Sequence, residues 1–575
     1  SELIESHDLY NEFIKLNTKE KKNIYLNDQN FKSYLKKISM IVNKNSKILN
    51  IVFPIFIINS VSIIFNSNNN TNNNIHLILN NNIFREPLSK LANNNNIKIL
   101  YLYKLNFIKF WFKSFYINLT NLIKSFFTFK NKYLIKLSNF DLIVDSAVEI
   151  INKKYIINQD IIPFKSVLYF SYYNRNDLPK IIVDKISYLE LNHFNLSFSP
   201  IPNFFLILKS IFSKNFKNLF IKISYNDYYF KVRTLTSLFK KIKPKVYLSS
   251  HKFLEHPLFA SHAINEIGGV SCIMQSSYSE QVSSSAIINS DIYFSFTNYN
   301  YENEIKSGSN FKYLVSVGYF KDYLFSNYKK DGVILRNQLK SNGANFIVSY
   351  FDNGFDSNDQ YGFNLKNLME EYEFLLNKLL DNKWLGLIFK SKTPNHIHKF
   401  LLNNYGDLYS KSLETKRFIF EINSQTKDSS KNTILDPSQY AFSSDICIHN
   451  SLSAATAGLE AILTNTSTLF LDRLGWNSFL KKAKNSKNII FEDINLLWDQ
   501  IDNTYKTNNF KSITFDDETL YKLDNFRDGK ARDRINLFIS NLISNINLYK
   551  NKQFAIEKTV SDYRVQWGDD KVIKF

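Results

Sequence analysis

Short apolar runs recur along the chain, separated by longer stretches in which apolar positions return every three or four residues. Runs of the first kind predict buried strands and stretches of the second predict amphipathic helices. Their alternation predicts an α/β fold on parallel sheets. In the first half the predicted strands are Ile51 to Ile57, Ile75 to Leu79, Ile97 to Tyr101, Asp141 to Val144, Val167 to Phe170, Val246 to Ser249, Val270 to Met274 and Ile292 to Ser295. Tyr313 to Val317 ends this set, and the pattern resets around Gly318 to Gly332. Phe346 to Tyr350, Leu385 to Phe389, Phe418 to Phe420, Asp445 to Ile448 and Thr468 to Leu471 form a second set. Two α/β domains, 1–325 and 326–515, with a crevice between them are the simplest organisation. A helical segment, 516–575, follows and contains the long helix-like stretch Gly529 to Lys550, which is expected to cross back to the first domain. Asn-rich runs such as Asn66 to Asn74 read as surface loops without chemistry.

One strand-helix-strand unit concentrates polar chemistry at one end. Asp445 to His449 is short and apolar, Asn450 and Ser451 offer N-cap side chains, and Ser453 to Leu463 favours a helix opening just past the strand. A helix that starts at the C-terminal edge of a parallel sheet turns unpaired N–H groups and its positive dipole end into the crevice, where phosphate binds. A nucleotide-type ligand is therefore expected at His449 to Ser453.

Composition changes this picture little. The 575 residues are 44% hydrophobic and 16% aromatic, ample for large cores, and the formal charge of +20 suits an anionic partner. Asn, Ile, Lys, Phe and Tyr abound throughout, a pattern of codon bias, which discounts the charge as evidence for nucleic acid. Cys272 and Cys447, both in strand-like runs, exclude a disulfide scaffold. No signal peptide is apparent, so a cytoplasmic location is expected. Ile48 to Phe65 is interrupted by Asn50, Pro54, Asn59, Ser60 and Ser62 and reads as a buried strand running into a helix. In Phe107 to Phe129, Lys109, Lys113 and Lys124 share one helical face beside Phe, Trp, Ile and Leu. That pattern fits either a helix lying on an anionic membrane or an ordinary core helix with a solvated face.

The chain resembles GT-B glycosyltransferases of bacterial surface and capsular polysaccharide assembly, of the Kdo-transferase-like type. The resemblance is carried by Lys243-Pro244-Lys245 into VYLSSH, by Ala260 to Ile267 with GGVSCIMQSS, and by VSVGYFKDYLF. It continues in GLIFKSKTP, HNSLSAATAGLEAI, LFLDRLGW and FRDGKARDRI, spanning roughly Lys243 to Phe538 in order. It implies two Rossmann-like domains facing a central crevice and transfer of a sugar from a CMP-, UDP- or GDP-linked donor to a polysaccharide or lipid-linked glycan acceptor, without a cofactor. Glycerophosphate-type transferases and nucleotide-sugar epimerases share much of this pattern and stay as alternatives. A basic nucleic-acid-binding protein is the alternative from a different class, supported by charge alone.

Such chemistry needs donors for a departing phosphate. The resemblance places Lys390 and Lys392 beside it, although Lys390-Ser391-Lys392-Thr393-Pro394 lacks the family's His before Pro. Ser451, Ser453 and Thr456 supply hydroxyls, His449 and Asn450 line the turn, Gly458 precedes Glu460, and the family's carboxylate in that region accepts ribose hydroxyls. Arg527 is a secondary phosphate candidate. For a proton acceptor, His251, Glu255 and His256 cluster just after a predicted strand at the crevice, with His251 and Glu255 the first candidates and Glu280 and Asp352 next in order. No His/Cys/Asp cluster has metal-ligand spacing along the sequence, so no metal is expected. Gly-x-Gly-x-x-Gly and Walker A motifs are absent.

Overall fold

The computed structural model of the chain describes residues 30, 33, 75–80, 97–102, 140–145, 156–171, 187–190, 216–278, 280, 282–354, 365–420, 435–452 and 455–575. Ile51 to Ile57, the stretch Phe107 to Phe129 with its lysine stripe, and Ser453 lie outside these residues.

Two strands, β1 (Ile75–Asn80) and β2 (Ile97–Leu102), pair with each other in parallel. The first large sheet contains β3 (Leu142–Asp145), β4 (Val167–Ser171), β5 (Ser187–Glu190), β6 (Val246–Ser249), β7 (Val270–Met274), β8 (Asn289–Ser295) and β9 (Asn310–Ser316). The second contains β10 (Phe346–Phe351), β11 (Leu385–Lys390), β12 (Phe418–Phe420), β13 (Ile446–His449), β14 (Ser467–Leu471) and β15 (Ile490–Phe491). The chain's last strand, β16 (Val572–Lys574), returns to the first sheet antiparallel to β9; the other pairings are parallel. Strands β6, β7 and β10 are buried along their whole length. Helices cover both faces of a parallel sheet, so such strands read as continuous apolar runs without alternation.

Strand order reverses once in each sheet. The first runs β16-β9-β8-β7-β6-β3-β4-β5, so from the β3/β6 pair the chain builds outward in opposite directions. The second runs β12-β11-β10-β13-β14-β15, with its reversal at β10/β13. Crossover helices leave opposite faces at such a point and open a crevice beyond the carboxyl ends of the two strands, the usual binding place in open α/β sheets. The carboxyl edges of the two sheets meet: the Tyr278 N–H beyond β7 donates to Thr456 Oγ1 beyond β13 at 2.9 Å. One apolar cluster includes Tyr278, Phe296 and Tyr319 together with Leu452, Leu459 and Phe470.

The chain passes from the first sheet to the second through 317–325 and returns through 524–531, and two buried charges tie these crossings together. Asp524 accepts the N–H groups of Tyr319 (2.8 Å), Phe526 (2.7 Å) and Arg527 (3.1 Å). Arg534, fully buried, donates to the Val317 carbonyl at 3.0 Å and to the Asp528 carboxylate. Its guanidinium lies 3.5 Å from the centre of the Phe526 ring and 4.6 Å from that of Trp567.

A close helix crossing supports the second sheet. A Cβ on Gly332, in helix Phe325–Ser341, would sit 2.5 Å from Phe442 Cβ and 2.9 Å from the Gln439 carbonyl oxygen in helix Pro437–Ser443. Helix propensity favours alanine over glycine by about 1 kcal/mol, but here backbone would have to move. Gly332→Ala should therefore destabilise the protein by roughly 1–3 kcal/mol, the scale of overpacking, read as a lowered urea midpoint. An unchanged or raised midpoint would show that the crossing can open without cost.

Candidate functional site

At the β10/β13 reversal three buried carboxylates organise the loops. Asp352, just past β10, accepts the N–H groups of Gly354 (2.5 Å) and Lys392 (3.0 Å) and the Tyr372 hydroxyl, so it joins the loops after β10 and β11. Gly354 has φ +73°, a left-handed conformation that favours glycine at this turn. Glu371, on helix Leu365–Asp381, receives the Tyr350 hydroxyl from β10, Asn450 Nδ2 at 3.4 Å from beyond β13, and faces Arg473 Nε at 3.1 Å from beyond β14. Asp472 pairs with Lys481 at 2.6 Å and accepts the Trp476 N–H at 3.1 Å. Between these loops lies a narrow cleft of about 30 Å³, partly open to solvent, with Gly354, Glu371, Asn450, Ser451, Asp472 and Arg473 in its wall. Burial pushes the Glu371 carboxyl up to about 7, although Tyr350, Arg473 and Asn450 all favour its anion.

The turn after β13 departs from the sequence expectation. The helix is Thr456–Leu463, and Ala455 occupies the N-cap without a side-chain bond. Asn450 and Ser451 are therefore not its caps. Asn450 Oδ1 instead accepts the Asn353 N–H at 3.1 Å, which joins the loops after β10 and β13. His449 is buried, with Nδ1 2.7 Å from the Ser451 carbonyl oxygen, and burial lowers its pKa to about 4. At neutral pH the ring carries no charge, so it shapes the turn and supplies no cation. Gly458 packs the helix onto the sheet: a Cβ there would lie 2.8 Å from Phe470 Cε1 and 3.3 Å from His449 Cβ.

Glu460 points away from this cleft. It is buried, receives the Tyr319 hydroxyl and the Ser438 N–H at 3.2 Å, and burial raises its pKa despite the nearby Lys321. Its oxygens, expected to meet ribose hydroxyls, are occupied at the crossing between the sheets. Lys390 ends β11 half-buried, and Lys392 is exposed beyond it. Arg527 sits at the crossing, exposed, 3.5 Å from Asp517. Of the residues expected to bind donor, the structure thus gathers Asn450 and Ser451 in the cleft, sets His449 and Gly458 behind them, and places Glu460 on the far side.

At the β3/β6 reversal a second group assembles. Asp145, the last residue of β3, is buried and accepts the Tyr247 hydroxyl (2.8 Å) and Ser249 Oγ (2.9 Å). His256 Nε2 lies 3.0 Å from its Oδ2, and His251 Nε2 lies 3.9 Å from its Oδ1. Burial pushes the Asp145 carboxyl up, but His256, His251 and Tyr247 outweigh it and hold the pKa below the ordinary value. His251 is partly exposed, while His256 is buried in the first turn of helix His256–Glu266. Glu255 is turned to Lys231, 3.2 Å away. Glu280 serves as a clasp between the two halves, accepting Ser478 Oγ (2.6 Å) and the Phe479 N–H (3.0 Å).

His256 was part of the cluster read after the strand Val246–Ser249, whereas Asp145 escaped the sequence reading because it lies more than 100 positions before His251. Glu371 had a signal: it is a carboxylate at helical spacing with Leu368, Tyr372 and Leu375 on a buried face.

No family model and no curated protein matches the chain. Among solved structures, the chain is similar to an S. aureus MnaA–UDP co-structure, at 13% identity and TM-score 0.41, covering 72% of this chain and 98% of that one. It is also similar to Anabaena HepE in complex with UDP and glucose, at 10% identity and TM-score 0.39, covering 69% and 98%. A third is the wall teichoic acid polymerase TagF, at 11% identity and TM-score 0.38, covering 77% and 99%.

Glu371 gives the cleft a pH signature. Its folded pKa of about 7 exceeds the ordinary 4.5, so the fold favours the protonated form. That contribution is complete below about 4.5 and is lost as pH rises through 7. Glu371→Gln, neutral at every pH, should remove a decline on the order of 3 kcal/mol between pH 5 and 8, measured as the difference between wild-type and variant urea stabilities. Parallel profiles for the two proteins would refute the assignment.

Proposed function

We propose that this chain is a glycosyltransferase that moves a sugar from a nucleotide-activated donor to a hydroxyl of a surface polysaccharide or lipid-linked glycan, working on the cytoplasmic side of the membrane. The observation that carries this reading is the pairing of two strand-order reversals across one crevice, each with polar chemistry at its carboxyl end. The second sheet takes the donor. Its phosphate fits against the start of helix Thr456–Leu463, where the helix dipole favours negative charge. Lys390 and Lys392 add cations at the same edge, suited to the charge that develops on the departing nucleotide. The first sheet takes the acceptor, whose hydroxyl approaches the Asp145, His251 and His256 group with Glu255 at its margin. Among the described residues no helix is long and apolar enough to cross a membrane. On this reading, contact with a lipid-linked acceptor is peripheral.

Three measurements check the proposal. In a thermal-shift panel, CMP, UDP or GDP should raise the melting temperature, because a ligand of the folded state stabilises it by mass action. A response to CDP alone would favour polyol-phosphate transfer, and none to any nucleotide would sink the donor assignment. Ser453→Glu should abolish the nucleotide shift with the circular dichroism spectrum unchanged, since it sets negative charge where phosphate is stabilised; undiminished affinity would remove the turn from the site. His251→Ala should keep nucleotide affinity and lose turnover by on the order of 10²-fold or more, the scale for losing a group that handles the transferred proton. Near-wild-type turnover would move the acceptor side elsewhere.

A further inference from the structure

We propose that Asp145, His251 and His256 bind one divalent transition-metal ion of the zinc class. The candidate ligand atoms, one carboxylate oxygen and two imidazole nitrogens, all lie within 4.8 Å of one another. Zinc holds nitrogen and oxygen ligands at about 2.0–2.2 Å, so two ligands of one ion stand roughly 3–4 Å apart. His256 Nε2 lies 3.0 Å from Asp145 Oδ2 and His251 Nε2 lies 3.9 Å from Oδ1, so each imidazole stands at about that spacing from an oxygen of the carboxylate. The longer separation exceeds hydrogen-bond reach, whereas an ion between the two atoms would span it.

The surroundings are those of a held ligand set. Tyr247 and Ser249 both donate to Asp145 Oδ2 and so fix the orientation of the carboxylate, as outer hydrogen bonds fix ligating carboxylates. The His251 N–H donates to the same Ser249 Oγ at 3.1 Å, which anchors the loop carrying that ring. The two rings meet edge to face, centroids 5.3 Å apart at 70°, so their edges converge on the carboxylate and the rings do not stack. A buried carboxylate beside two imidazoles offers a site whose negative charge a dication would offset. Asp145 and His256 are buried and His251 alone is partly exposed, so solvent reaches the group at the His251 side, and three protein ligands leave one position of a four-coordinate ion unfilled. That is the pattern of an open, catalytic metal position rather than a closed structural one. It lies at the β3/β6 reversal. Only the use of the ion rests on the transferase reading: a hydroxyl bound in the open position would lose its proton at a lower pH than it does in water. The binding itself does not depend on that reading.

The test uses the full chain after dialysis against EDTA. Zn²⁺ is titrated by calorimetry, and Co²⁺ is followed by its visible absorption. One equivalent per chain is expected, with a Co²⁺ spectrum of low coordination number. His251→Ala, His256→Ala and Asp145→Asn should each weaken binding about 100-fold or more, on the scale of the losses seen when a metal's supporting shell is removed. His398→Ala, on helix Pro394–Glu414 of the other sheet, should change nothing. Absence of stoichiometric uptake, or uptake that survives both histidine substitutions, would overturn the site and leave a metal-free Asp–His arrangement. His251→Ala, at a partly exposed position, keeps the test valid if the buried variants fail to fold. The nucleotide-induced thermal shift of the same metal-free protein reports separately on the donor reading.

Discussion

The double crossing of the chain between the two sheets is the constraint on which the rest depends. Arg534 is fully buried with a full charge, which is tolerable only because Asp528, the Val317 carbonyl and two aromatic faces surround it. Arg534 is the buried member and Asp528 is exposed, so removing Asp528 would leave an internal charge without its counter-ion. Asp524 adds three backbone N–H groups drawn from both crossings. With this joint fixed, Tyr319 meets Glu460, Tyr278 meets Thr456, and Glu280 clasps Ser478 and Phe479. Each contact joins one half of the chain to the other, and together they hold the carboxyl edges of both sheets against one crevice.

The two edges carry different chemistry. Around the second-sheet cleft, Asp352, Glu371 and Asp472 work as loop ties: each gathers donors from different segments, and Glu371 is so poorly solvated that it titrates near neutrality. The cleft wall therefore gains rigidity from carboxylates without presenting a dense negative field to a phosphate. At the first-sheet edge the balance is reversed. Burial pushes the Asp145 carboxyl up, but two imidazoles and a phenol outweigh it and hold its pKa below the ordinary value, beside two imidazole nitrogens.

Much of the fold was legible in the sequence. Buried parallel strands announce themselves as uninterrupted apolar runs, and the runs around Val246, Val270, Phe346, Leu385 and Thr468 fall on strands. The strands β5, β15 and β16 were not legible, since the short segments Ser187–Glu190, Ile490–Phe491 and Val572–Lys574 at sheet edges have little apolar length to show. The site was legible only in outline. The turn after His449 could be read from its polar residues, but the helix start shifted to Thr456 because Asn450 bonds across to Asn353. Glu460 reads as an accessible carboxylate in sequence, and only tertiary packing reveals Tyr319 against it. His251 and His256 could be read together after one strand, but Asp145 could not be found by spacing, because strand β3 brings it to them from more than 100 positions away.

The most direct test of the account is hydrogen–deuterium exchange of the full chain with and without a saturating nucleoside diphosphate. The account predicts slowed exchange at 352–354, 450–459 and 471–476, the segments that converge on the β10/β13 reversal, with β3 and β6 unchanged. Unaltered exchange in those segments, or protection confined to the first sheet, would contradict the claim that the second sheet holds the donor.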